Sequence, residues 1–150
     1  MEPSGASVAC KSDPSGFFPG LQPRTEPPGS EGKRTTPVKF VAMTTSGIDP
    51  REDAPSESSV ISGSPRFKSW NLDEAAGGVS SGIWEATPGK WRFENDHWEY
   101  CRILAGVSVL TEEGGGTHTV KAGDSFVLRA GFKGTWEVVE TTRKDYVARP

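Results

Sequence analysis

The sequence predicts an all-β domain, a sandwich or barrel of short strands, behind an N-terminal tail that has no core of its own. Three observations carry that expectation. Short alternations of apolar and polar residues recur at near-regular spacing after Arg66 and are punctuated by glycine turns. No stretch shows a strong helical stripe. The aromatic residues gather where the alternation is: all five tryptophans fall at or after Trp70, whereas ten of the twelve prolines fall at or before Pro65.

In chain order, residues 1–37 are rich in Pro, Gly and Ser, with few apolar residues, and are expected to be disordered because they cannot offset their ordering entropy. Residues 38–65 form an arm and linker. Within it Val38-Lys39-Phe40-Val41-Ala42-Met43 has the β-branched and aromatic character of a short edge strand, and the stretch from Thr44 to Ser59 reads as loop, with Asp49-Pro50 initiating a turn. Residues 66–150 are the folding unit. Arg66 to Trp70 alternates, and Asn71 to Gly78 reads as a turn or one helical turn ended by glycine. Strands follow at Ile83–Ala86, Trp91–Asn95, Trp98–Leu104, Val107–Thr111, Thr117–Val120, Ser125–Leu128, Thr135–Val139 and Arg143–Ala148. The turns between them are Thr87-Pro88-Gly89, Asn95-Asp96-His97, Gly106, Glu113 to Gly116, Lys121 to Asp124 and Arg129-Ala130-Gly131. Small barrels can be stabilised by this many tryptophans.

Charge excludes some function classes. The chain carries a formal charge of −3, and from Arg66 onward eleven Lys and Arg face twelve Asp and Glu, so no single-sign field is available for a nucleic-acid backbone. No apolar run is long enough to span a membrane, and no basic region followed by an apolar run marks a secretory signal. Cys10 falls in the tail and Cys101 in a strand, which fits two reduced thiols in a cytoplasmic protein better than a disulfide.

Several segments together resemble the cupin fold, and specifically the small cupin domains grouped with (S)-ureidoglycine aminohydrolase. They are Gly82-Ile83-Trp84-Glu85, Pro88-Gly89-Lys90-Trp91, Glu99-Tyr100-Cys101, Leu104-Ala105-Gly106, Ala122-Gly123-Asp124, Gly131 to Val138 and Arg143-Lys144. The resemblance implies a double-stranded β-helix, or jelly-roll barrel, over residues 66–150. In the metal-binding members of that fold, a first motif supplies two histidines one residue apart and a glutamate, and a second motif supplies another histidine. Carried onto this chain from Glu99 and Gly106, the first pair falls on Phe93 and Asn95; from Gly123 and Gly131, the last falls on Gly134. One more residue in the turn would move the pair to Arg92 and Glu94. Of the four implied ligands only Glu99 remains, and one carboxylate with one amide does not hold Mn, Zn or Fe as imidazoles do. No cofactor is therefore expected; the alternative is a divalent metal on a shifted set, Glu94, His97 and Glu99.

Strand parity places Glu99, Cys101 and Ile103 on the inner face, with Trp91, Phe93, Asn95, Gly134, Trp136 and Val138 opposite or beside them. Glu99 is the candidate acid/base; its plainer alternative is a buried carboxylate satisfied by backbone amides or by an arginine such as Arg92 or Arg143. Cys101 is a candidate nucleophile, although a neighbouring carboxylate raises a thiol pKa and a buried Cys is commonly a small hydrophobe. His97 and His118 are expected in a hairpin turn and an exposed strand. Trp91, Phe93, Asn95, Arg129 and Trp136 are the candidate ligand-binding residues, Arg129 standing at a barrel-mouth turn where the family pattern has proline. Arg143 and Lys144 are further cations, most of which are solvated in proteins.

Three functions follow as expectations. The first is a metal-independent pocket for a small carboxylate or ureide. The second is an aminohydrolase-like or other cupin enzyme with Glu99 as acid/base and a metal on substituted ligands. The third is a structural or interaction module. A homodimer is the expected assembly, with neither nucleic acid nor membrane as partner.

Overall fold

A computed structural model describes residues 38–150; the tail 1–37 and Cys10 with it lie outside the described residues. Alternation and glycine turns give nine strands: β1 (Arg51–Asp53), β2 (Val60–Gly63), β3 (Phe67–Ala75), β4 (Val79–Ala86), β5 (Gly89–Asn95), β6 (Trp98–Glu112), β7 (Thr117–Lys121), β8 (Ser125–Leu128) and β9 (Phe132–Arg149). The described residues contain no helix. Every strand pairing among the described residues is antiparallel, so the all-β jelly-roll expectation is met.

Two long strands organise the barrel. The second half of β9 pairs with β4, from Ser80↔Ala148 to Ala86↔Thr142, while its first half pairs with β5, from Gly89↔Val138 to Asn95↔Phe132. β6 runs beside β9 along both halves and pairs with β8 near its start and β7 near its end. One layer is thus β1-β3-β4-β9-β6-β8 and the other β2-β5-β9-β6-β7. The strands cross between layers through irregular register between Ile103 and Ser108 of β6. At the centre of that bend Gly106 has φ +84°, and a side chain there would run into the Thr141 carbonyl. The bulge also switches the inward set on β6 from odd residues (Glu99, Cys101, Ile103) to even ones (Ser108, Leu110).

The core lies between the layers. Trp84 and Trp136 meet edge to face at 5.4 Å, and Trp91 stacks on Trp136 at 6.3 Å. Phe67, Ile103, Leu110, Leu128, Val138 and Ala148 are among the buried residues that pack around these rings.

Three sequence expectations are corrected. Residues 38–43 form no strand; Val38 and Phe40 are about four-fifths exposed, at 79% and 81%. The stretch assigned to loop contains β1, whose Arg51–Asp53 pairs with β3. Residues 71–75 continue β3 across a bulge between Asn71 and Asp73 and are not a helical turn. The arm instead docks further on: Trp70 Nε1 donates to the Ile48 carbonyl at 2.9 Å, and Arg143 donates to Thr45 Oγ1 at 2.8 Å and to Glu85 Oε2 at 3.1 Å. The Arg143 guanidinium lies 4.9 Å from the Trp70 ring centre, so one cation holds the arm to the outside of the barrel.

Candidate functional site

Alternation along β9 turns Thr142, Lys144, Tyr146 and Ala148 inward, and all four are buried. Lys144 lies in register with Trp84 on β4 and Ile103 on β6. Its chain reaches back along β6 to place Nζ 2.8 Å from Glu99 Oε1 and 3.3 Å from Cys101 Sγ. The same ammonium is 4.7 Å from the ring centre of Trp136 and 5.1 Å from that of Trp84. Side-chain exposure of both charged partners is 1%, so the pair is dry.

Electrostatics fix the protonation of this cluster. Burial opposes charge on Glu99, but the Lys144 ammonium and His97 overcome it and hold the carboxyl at about 2. Burial likewise opposes charge on Lys144, and Cys101 and Glu99 raise its pKa above the ordinary lysine value. Burial pushes the Cys101 thiol up to about 12, only partly offset by Lys144, so it stays protonated and accepts from the ammonium. Tyr146 is raised to about 12, chiefly by burial.

A second polar chain anchors the opposite ring. Thr142 Oγ1 donates to the Glu140 carbonyl at 2.9 Å, which leaves Ser108 Oγ to donate to Thr142 Oγ1 at 2.7 Å. Trp136 Nε1 in turn donates to Ser108 Oγ at 3.1 Å, fixing the edge of the ring whose face receives Lys144.

The barrel mouth is different in character. A cavity of about 860 Å³ is lined by Leu110, His118, Phe126, Leu128, Arg129 and Phe132, with Glu112 and Asp124 also in its lining. His118 is exposed on a strand as expected; it pairs with Leu110 and shares the parity of buried Val120, so it lines this open space. Phe126 pairs with Cys101 and reaches Trp136 at 6.3 Å, linking mouth to core. Arg129 makes no ion pair or side-chain hydrogen bond among the described residues, whereas Asp124 is used by its own turn, accepting from the Lys121 amide at 2.9 Å.

Residues 73–146 match the family described as the EutQ-like cupin domain. The domain has the cupin fold. A protein of unknown function from Pseudomonas syringae pv. tomato, of the DUF861 family, is 30% identical over 66% of this chain, with a TM-score of 0.61. This cupin spans only 43% of that protein's length. The EutQ protein of Clostridium difficile is 15% identical, with 69% of this chain and 97% of that one covered and a TM-score of 0.53. A putative ethanolamine utilization protein Q from Salmonella typhimurium is 18% identical, with 65% and 78% covered and a TM-score of 0.51. These last two likenesses concern the fold alone. No curated protein matches the sequence.

The cupin's metal positions do not fit a metal ion. Glu99, the one implied ligand retained, already has its carboxylate engaged by a fixed ammonium. Phe93 sets its ring at 5.5 Å from Trp136. Asn95 donates to the His97 carbonyl at 2.6 Å and shapes the turn, while its buried Oδ1 has no hydrogen-bond partner among the described residues. At Gly134 any Cβ would collide with the Thr111 carbonyl, so a histidine there would require the backbone to move. Among the described residues no group of three His, Cys, Asp or Glu is disposed to hold a metal.

The shifted set is brought together only in part. His97 Nε2 lies 3.7 Å from Glu99 Oε2, and the side chain is just 12% exposed, so His97 turns inward where a surface turn was expected. Glu94 is on the other face of β5, half exposed and 4.0 Å from Lys133. Of the ligand-binding candidates, Trp91, Asn95 and Trp136 are buried, Phe93 is half-buried against Phe132, and Arg129 alone lines the mouth. Arg92 is exposed, and Arg143 serves the arm, so neither is the partner of Glu99. Lys144 is what sequence reasoning missed in that role. Its signal was parity: it stands two residues before Tyr146 on an alternating strand.

Proposed function

We propose that this cupin binds a small carboxylate or ureide at the barrel mouth, without metal. The observation that carries the reading is Arg129, an uncommitted guanidinium on a cavity whose lining also includes His118, Phe126 and Phe132. A guanidinium offers a planar fork to a carboxylate or a urea oxygen, and the rings supply an apolar surface for the remainder. Glu99 and Cys101 are engaged with Lys144 in the dry interior, which makes binding the better supported reading over acid/base or nucleophilic work there. The sequence resemblance to ureidoglycine aminohydrolases supports including ureides in the search. Calorimetric titration of the full chain with ureidoacetate, malonate, acetate and urea tests this. Saturable binding of a panel member, weakened about tenfold or more in Arg129→Gln, is expected from loss of a charge-assisted hydrogen bond. No binding across the panel, or equal affinity in Arg129→Gln, overturns the reading.

We also propose that two copies pair through the outer face of β6, β8 and β9. There Val127 and Val147 flank Tyr100 in register, and Trp98 lies next along β6, 42% exposed. Sedimentation equilibrium of the full chain should show a dimer that Val147→Asp dissociates; a monomer at high micromolar concentration overturns it.

A further inference from the structure

We propose that the Lys144 ammonium is the resident cation of this barrel, a tethered ion seated between Glu99 and the indole faces of Trp84 and Trp136 in place of a dissociable one. The receptor around Nζ has the composition that recognises an organic ammonium: a carboxylate at 2.8 Å, a soft sulfur acceptor at 3.3 Å and two aromatic faces at 4.7 and 5.1 Å. It is a built site. Trp136 is held by Ser108 and Thr142, and Trp84 by the ring contacts with Phe67, Trp91 and Trp136. The same neighbourhood suits a divalent ion poorly. It offers one carboxylate, one thiol already taken up by the ammonium and two ring faces, with a single imidazole, His97, on the far oxygen of Glu99, and among the described residues no group of three donors such as hard or borderline metals take. The tether also sets length. The four-carbon stem starts opposite Ile103 and delivers the charge beside Glu99, so the cage is matched to a primary alkylammonium.

The inference is independent of the mouth ligand, because it concerns the dry interior and does not depend on Arg129. Its consequence is that truncating Lys144 leaves an empty receptor of defined chemistry, which a free amine should fill. The test uses the full chain carrying Lys144→Ala, in which the missing atoms correspond to n-propylammonium. Millimolar n-propylammonium should raise the melting temperature of the variant by about 5 °C or more through linkage, and leave the wild type unchanged. The neutral isostere 1-propanol should not. Equal rescue by 1-propanol assigns the site to cavity filling and overturns the proposal, as does no rescue by either.

Where Lys144→Ala does not fold alone, the two additives are compared during refolding, with near-ultraviolet circular dichroism as readout. Recovery with the amine only supports the proposal; recovery with neither or with both overturns it. A second measurement uses the wild-type chain equilibrated with Mn²⁺, Zn²⁺ or Fe²⁺ and then desalted. Substoichiometric metal is expected, and one metal per chain that disappears in Glu99→Gln overturns the proposal.

Discussion

His97 joins the buried charge cluster to solvent. Its Nδ1 is 2.9 Å from the exposed Asp96 carboxylate and its Nε2 3.7 Å from Glu99. The nearby Glu99 carboxylate raises its pKa most, against an opposing effect of burial, with Asp96 adding to the rise. The folded chain therefore holds this proton to higher pH than the unfolded chain, whose His titrates near 6.5. The resulting stability is complete below pH 6.5 and is lost as pH rises through the folded value. Glu99 works in the opposite direction: its folded value of about 2 against 4.5 gives stability present above pH 4.5 and lost as pH falls toward 2. Melting temperature measured from pH 3 to 9 should decline on both sides, and His97→Gln should flatten the alkaline limb and make the acid limb shallower, because Glu99 loses one of the two partners that hold its carboxyl down. An unchanged alkaline limb in His97→Gln would remove His97 from the cluster. From sequence, Glu99 could be placed inward by alternation, but its counter-ion could not, since arginine and lysine are ordinarily solvated and nothing local distinguishes a buried one.

Among the elements, β9 shows both what alternation reveals and where it stops. The inward row Gly134, Trp136 and Val138, and later Thr142, Lys144, Tyr146 and Ala148, is one even-numbered register. Read as pattern it divides into two strands, because Glu140 and Thr141 are both exposed and interrupt it. In the folded chain the Thr142 hydroxyl bond to the Glu140 carbonyl and the pairing of Glu140 with Val107 carry the strand through. The glycines separate similarly into turn formers and close approaches. Gly134→Ala, where a Cβ would meet the Thr111 carbonyl, should destabilise by about 1–3 kcal/mol through overpacking. Gly116→Ala, whose nearest neighbour would be the flexible His118 ring at 3.4 Å, should change stability little. Urea denaturation of the two variants compares them directly; a neutral Gly134→Ala would mean that β6 and β9 have room to part. Sequence spacing aligns Gly134 with a family histidine, but it cannot show that the backbone of β6 forbids one.

At the scale of the whole molecule, the order of strands explains which parts were legible. Neighbouring hairpins such as β3–β4 and β6–β7 follow from glycine-punctuated alternation and short connections. The Glu99–Lys144 and Trp84–Trp136 meetings join residues 45 and 52 positions apart, across layers that periodicity does not relate. The arm also depended on such distance: Val38 to Met43 has strand-like composition, yet the docking groups are Thr45 and Ile48, chosen by Arg143 and Trp70 on the barrel wall. The doubly shared β9 has one further consequence, in the order of synthesis. β4, β5 and all of β6 emerge before the strand that lies between or beside them. Until it arrives, the edges of β4 and β5 that it will cover remain unsatisfied and Glu99 has no counter-ion. The nascent domain therefore passes through a stage of open strand edges, the condition in which a chaperone has most to shield.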